Sequence, residues 1–310
     1  MATRYKCNFC AFCAGKGCID QIPGMGGTNG NENFQLNVIG WGKIRNKNAQ
    51  LVSDFLKKKA EERIPRISIA PITGAVENIG MEDEKSYYGQ IIQAAHNVGL
   101  GLCIGDGFPD EKLKFGIEAL FGCKKQGEQE IKAGIFIKPY PNEKIFERID
   151  WAKNVANVIG IDIDAFNLVT MRNLVRLEKK TAAQLIEIKR RLDELNIPFA
   201  IKGVFTEEDM ATIRAVRPSI AYISNHGGRI DTRRGSTADF FFEHVVELKK
   251  YCDEVWVDGG IRTPLDVATA FALGADRVLV GRPFITALLK NGVSGLCQKV
   301  LELSLLDYGK

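Results

Sequence analysis

Eight short apolar runs, each ending in polar, glycine or proline residues and each separated from the next by a helical pattern, constrain this chain more than any other feature. They are RISIAPITG (66–74), GLGLCIGDG (99–107), AGIFIKPY (133–140), VIGIDIDAF (158–166), PFAIKGV (198–204), IAYISNHGG (220–228), EVWVDGG (254–260) and RVLVGRP (277–283). Runs this short, apolar and rich in β-branched residues read as strands buried on both faces. Amphipathic stretches such as TAAQLIEIKRRLDELN (181–196) and TPLDVATAFALGA (263–275) lie between them. Eight strand–helix alternations predict an α/β fold, a closed parallel (β/α)8 TIM barrel. An open doubly wound sheet is the alternative, but it usually carries a Gly-rich first βα turn, which the first run lacks.

Such a barrel needs about 250 residues, and the chain has 310. The expected division is a Cys-rich extension over 1–65, capping or flanking the barrel, and the barrel itself over 66–310. The extension holds a Gly-rich stretch, PGMGGTNGN (23–31), and a helical segment, NAQLVSDFLKKKAEER (48–63).

A net charge of +4, with no Lys/Arg block, gives no reason to expect nucleic acid. No run of 18 apolar residues suggests a membrane span. The start MATRYKCNFC lacks the apolar stretch of a secretory signal. Four of the eight cysteines crowd into the first twenty residues and the rest are scattered, unlike a secreted disulfide scaffold. A cytoplasmic location is expected.

In a barrel the C-terminal strand ends converge on one rim, where active sites form. Here that rim collects Thr73, Asp106, Lys138, Asp164, Lys202, His226, Asp258 and Arg282. DGGIR follows the seventh run and VGRP the eighth. Gly259, Gly260 and Gly281 would let backbone N–H groups approach a phosphate, and Arg262 and Arg282 would add charged donors. The competing reading is two tight turns with surface arginines. In SNHGGR (224–229) strand alternation puts Ser224 and His226 on one face, with His226 in the range for proton transfer and Arg229 offering a fork for a carboxylate. Lys202 ends a buried strand and needs an anionic partner, either a reduced cofactor ring or a neighbouring carboxylate. His96 and His244 lie in helical patterns without chemistry.

Cys7, Cys10, Cys13 and Cys18 are spaced C-x2-C-x2-C-x4-C. Closely spaced thiolates of this kind could hold an iron–sulfur cluster or zinc, or could simply be reduced thiols.

IAPITGA, PFAIKGVFTEEDM, YISNHGGRID and VWVDGGIRTPLDVATAFALGADRVLVGRPF together resemble the FMN-dependent α-hydroxy-acid oxidase/dehydrogenase family, which includes glycolate and lactate oxidases. The likeness is dense over 198–284 and looser over 64–166. It implies that His226 is the active-site base, that Asp164 pairs with it, that Arg229 holds the substrate carboxylate and that Lys202 sits beside the flavin. It also implies that Ala70, Pro71 and Ile72 lie along the flavin ring, and that Asp258, Gly260, Arg262, Gly281 and Arg282 hold the ribityl and phosphate groups. The implied partners are a small hydroxy- or keto-acid and an electron acceptor of open identity, in a homo-oligomer, a tetramer by resemblance.

Three places depart from the family pattern. The pre-barrel segment IPGMGGTNGNENF has no tyrosine; Lys138 and Tyr140 stand where Gln-x-Tyr is usual; Asp162 stands where threonine is usual. Lys138 then joins the cofactor-binding set and Tyr140 the substrate-binding set. On neighbouring strands, Lys138 and Asp162 are expected to form a mutually compensating ion pair. The leading reading is oxidation of a small 2-hydroxy acid. The alternatives are an FMN-dependent isomerase of the type 2 isopentenyl diphosphate isomerase kind, and a non-catalytic flavin or metal redox module.

Overall fold

The computed structural model describes residues 32–59, 67–76, 81–125, 131–167, 175–230 and 232–304. Among them, eight strands form one sheet: β1 Ile67–Ile69, β2 Cys103–Gly105, β3 Ala133–Ile137, β4 Ala156–Asp162, β5 Phe199–Val204, β6 Ile220–Ile223, β7 Glu254–Val257 and β8 Arg277–Val280. Every pairing is parallel, in the order β1-β8-β7-β6-β5-β4-β3-β2. Parallel bridges Ser68–Gly101 and Ile72–Ile104 join β1 to β2, so the sheet closes. All eight expected runs are strands of the barrel.

Helices α3 Glu84–Val98, α4 Glu111–Lys125, α5 Asn142–Ala152, α6 Ala182–Glu194, α7 Glu207–Val216, α8 Thr237–Leu248, α9 Pro264–Ala272 and α10 Arg282–Ser304 follow the strands. Their starts are written locally. Thr181, Thr206 and Thr263 each close a capping box with the residue three positions on, satisfying donors the first helical turn leaves free. Among the described residues no helix is long and apolar enough to cross a membrane.

The barrel interior is a plug of small and aromatic side chains: Cys103, Phe136, Val158, Ala200, Tyr222, Trp256 and Leu279. The Phe136 and Tyr222 rings meet edge-on, with centroids 5.4 Å apart. This plug is the floor on which the polar rim stands.

Ahead of the barrel lie α1 Glu32–Lys47 and α2 Ala49–Lys59. The second matches the helical segment expected near 48–63. The first was not foreseen, and it docks on the loops after β6 and β7. Asn33 Nδ2 donates to the carbonyls of Ile230 and Arg233, Asn37 Nδ2 donates to Asn225 Oδ1 at 2.8 Å, and Trp41 Nε1 donates to the Gly259 carbonyl at 2.8 Å. Gly260, at φ +78°, lies so close to α1 that a Cβ there would collide with the Asn37 carbonyl. Glycine in the DGG turn is therefore demanded by the helix above it as well as by any ligand. Cys7, Cys10, Cys13 and Cys18 lie outside the described residues.

Candidate active site

The C-terminal ends of β1 and β5 to β8 surround a pocket, open to solvent on one side, with about 600 Å³ of empty space including that opening, lined among others by Ala70, Pro71, Ile72, Lys202, His226 and Arg229. The loops after β7 and β8 complete its wall with Asp258, Gly259, Gly260, Arg262, Gly281 and Arg282. Residues spread over more than 200 positions of sequence thus share one chamber.

His226 is on its wall, 9% exposed. The β6 strand ends at Ile223 and the chain enters a tight 3-10 turn, His226–Gly228. His226 itself takes φ +51°, a backbone state uncommon for any residue with a Cβ and often found at functional positions. Alternation therefore stops before Ser224, and the expected common face for Ser224 and His226 does not form. Ser224 Oγ donates to Asp258 Oδ2 at 3.0 Å, while the imidazole turns to β4. There Nδ1 lies 2.8 Å from Asp164 Oδ2 and Nε2 lies 2.9 Å from Asp162 Oδ2.

Asp162 is the hub. Its Oδ1 accepts from Lys202 Nζ at 2.8 Å, the residue paired with it across β4 and β5, and its Oδ2 accepts from Lys138 Nζ at 2.6 Å. The expected Lys138–Asp162 ion pair is present, buried at the rim. Burial alone would raise the Asp162 carboxyl, but His226, Lys138 and Lys202 together hold it well below the usual carboxylate range. Burial would likewise lower Lys202, yet the carboxylates of Asp162, Asp164 and Asp258 leave it above its ordinary value. Asp162, Asp164 and His226 bring one ligand atom each within 4.8 Å, a metal-like spacing. Two ammonium groups already neutralise this acidic pair, which leaves little for a cation to gain.

Lys138 reaches the site through Asp162 and does not line the cavity. Tyr140 is not part of the site's wall. After β3 the chain makes a three-residue turn at Pro139, closed by Tyr140 N–H to the Lys138 carbonyl at 2.8 Å. Alternation ends there too, so Tyr140 does not follow Lys138. Its ring lies under the Arg148 guanidinium, 4.3 Å from centroid to carbon. Arg148 is fully buried and pairs with Asp106 at 3.0 Å and with Asp110. This network ties β2 and α5 together beneath the rim, and no single motif in the sequence announces it.

Arg229 lines the cavity and is anchored by donating its Nε–H to the His226 carbonyl at 3.0 Å. Arg282 donates to the Gly227 carbonyl at 3.2 Å, with its guanidinium 4.5 Å from the Phe34 ring centroid.

The FMN-dependent dehydrogenase family profile matches residues 126–305, more than half of the chain. The chain belongs to this family. It is 38% identical over 120 residues to the peroxisomal (S)-2-hydroxyacid oxidase GLO3 of Arabidopsis thaliana, covering 38% of this chain and 31% of that protein. With glycolate oxidase of Spinacia oleracea it shares 32% identity over 177 residues, 57% of this chain and 45% of that one. The chain thus spans less than half the length of these curated relatives. A solved structure of mandelate oxidase with benzoyl-formic acid superposes at a TM-score of 0.57, with 25% identity over 77% of this chain and 70% of that one.

Two polar atoms that find no partner among the described residues test whether the cradle of this family member suits FMN. Asp258 Oδ2 is taken by Tyr222 and Ser224, but its buried Oδ1 has no partner and calls for a hydroxyl donor. Arg262 Nη2 is buried without an acceptor, and burial pushes that guanidinium down to about 10 against the opposing pull of Asp266. A polyol chain ending in a phosphate satisfies both atoms, so the residues fit the ribityl phosphate of FMN.

Proposed function

We propose that this chain binds FMN in the chamber beneath α1 and oxidises a small 2-hydroxy acid. The observation that carries the reading is the imidazole of His226, held on Asp164 at 2.8 Å and facing a cavity that Arg229 and Lys202 also line. Bound FMN supplies the two-electron acceptor. The protein supplies placement and charge. Arg229 offers a planar fork for the substrate carboxylate, which would set the α-carbon beside His226. His226 takes the proton from the substrate, and Asp164 fixes the ring and stabilises the protonated form. Lys202, on the cavity wall, would stabilise negative charge on a bound cofactor ring. Ala70, Pro71 and Ile72 form an apolar wall against which a flat ring can lie.

The finer parts of the reading are a cytoplasmic homo-oligomer whose N-terminal cysteines hold an iron–sulfur cluster as a one-electron outlet. Iron, acid-labile sulfide and zinc assays on purified protein separate the cluster from zinc and from free thiols.

The test of the main reading is anaerobic. FMN-loaded protein is mixed with a panel of small 2-hydroxy acids, and bleaching of the flavin is followed. At least one acid is expected to bleach it, and His226→Gln is expected to slow that bleaching by about 10²–10⁴-fold. A loaded protein that no acid bleaches would point to the isomerase or to a redox module without turnover.

A further inference from the structure

The reading of His226 as the base leaves one nitrogen to explain. Nδ1 is committed to Asp164, so Nε2 is the atom that must meet the substrate. In this structure Nε2 is not open: Asp162 Oδ2 lies 2.9 Å from it, in a carboxylate only 3% exposed. We propose that Asp162 is a latch on the catalytic imidazole, holding Nε2 until a ligand oxygen displaces it, and so a positioning residue that sets which ligands the site admits. The proposal rests on the assignment of His226 as the base.

Three features of the geometry carry it. First, both ring nitrogens face carboxylate oxygens. An ionised carboxylate only accepts, so both contacts are hydrogen bonds only when both nitrogens carry protons. A latched ring therefore cannot take a proton from a substrate. Unlatching and loss of the Nε2 proton must come first.

Second, the latch can open without stranding its charge. Asp162 Oδ1 keeps Lys202 at 2.8 Å and Oδ2 keeps Lys138 at 2.6 Å after Nε2 leaves. A buried carboxylate with one partner would have no such freedom. Lys138 and Asp162, two of the three departures from the family pattern, thus make one device: the aspartate closes the ring and the lysine lets it reopen.

Third, the other charged groups around the ring do not compete for Nε2. Asp164 is on Nδ1, Asp258 makes no hydrogen bond or ion pair with the ring among the described residues, its Oδ2 being held by Tyr222 and Ser224, and Arg229 and Lys202 are donors. The ligand that displaces Asp162 must place an acceptor oxygen at Nε2 while its own carboxylate reaches Arg229. That describes a short acid with an oxygen on the adjacent carbon, and it disfavours a simple carboxylate without one.

The experiment uses FMN-saturated protein labelled with ¹⁵N-histidine. The chain has three histidines, so the His226 signals are assigned with His96→Gln and His244→Gln. The wild type is expected to show two protected ring N–H signals for His226, and saturation with oxalate shifts the Nε2 signal while Nδ1 stays. In Lys138→Gln/Asp162→Thr, which leaves the cluster's net charge unchanged, the Nε2 signal is lost or moved before any ligand is added. That variant binds oxalate about tenfold more tightly, as loss of one competing hydrogen bond to a charged group implies. Acetate gains much less. A single ring N–H in the wild type, equal oxalate affinity in both proteins, or an Nε2 signal indifferent to the double change would each overturn the latch. If the double variant does not fold, the wild-type spectra with and without oxalate decide alone. The ring signals report on Asp162 whether or not any acid bleaches the flavin, so failure of the latch and failure of the proposed oxidation are separate results.

Discussion

Gly203 shows how much of this site rests on single positions. It follows Lys202 in β5 at φ +96°, and a Cβ there would collide with the Asp164 carboxyl group. Glycine both adopts this backbone without strain and leaves the hole that Asp164 fills to reach His226 Nδ1. Gly203→Ala is therefore expected to cost about 1–3 kcal/mol of stability from the forced backbone. Displacing the Asp164–His226 pair should slow the flavin half-reaction on the order of a hundredfold, the penalty of an ångström-scale misplacement. Urea unfolding and anaerobic bleaching measure the two effects. An alanine variant that bleaches at the wild-type rate would show that Asp164 does not set the imidazole. The same residue scale explains why the sequence predicts the pairing of Asp162 with Lys138 but not its bonds to Lys202 and His226. Its neighbours in sequence are apolar, and its three partners come from positions 138, 202 and 226, which only the barrel brings together.

Among elements, α1 controls the site from outside the barrel. Asn37 holds the Asn225 side chain, and Asn225 Oδ1 in turn accepts the Gly228 N–H at 2.9 Å, closing the turn that carries His226. Asn37 Oδ1 also accepts the Thr237 N–H at the start of α8, and Trp41 holds the Gly259 carbonyl. Asn37→Ala is expected to raise the Kd for FMN about tenfold or more, because two buried loops lose bonds of about 1–3 kcal/mol each. Flavin fluorescence titration measures it, and an unchanged Kd would mean that the loops hold their shape without the helix. This element was hard to see in the sequence. Its buried face mixes Asn33 and Asn37 with Phe34, Trp41 and Ile44, while Ile39 on the same helix is 47% exposed, which blurs the pattern that marks an amphipathic helix. The barrel itself was legible because its strands are short and apolar on both faces and alternate with amphipathic stretches such as 181–196 and 263–275. The rim was legible as far as the strands run. Where they stop, at Ile137 and Ile223, alternation no longer predicts direction, which is why Tyr140 leaves the cavity and Ser224 parts from His226.

For the molecule as a whole, the rim concentrates buried carboxylates whose responses to pH oppose one another. Asp162 is held well below the carboxylate range by His226, Lys138 and Lys202 despite its burial. Burial raises Asp258, an effect Lys202, Tyr222 and Ser224 only partly offset. A group with a lowered folded value stabilises the fold above its unfolded value, about 3.9, and that stability is lost as pH falls through the folded value. A group with a raised folded value does the reverse: its contribution is present below about 3.9 and disappears as pH rises through the folded value. Unfolding free energies of wild type, Asp162→Asn and Asp258→Asn, measured in urea from pH 3 to 8 at equal cofactor saturation, should therefore diverge in opposite directions. The wild type gains on Asp162→Asn as pH rises from 3 towards 5 and then holds its lead. Against Asp258→Asn it loses ground as pH climbs above about 4. Since Asp258 Oδ1 has no partner among the described residues and Asp258 lines the cradle, bound FMN should shrink that second loss by supplying the missing donor. Parallel curves with and without FMN would mean that no cofactor hydroxyl reaches Asp258.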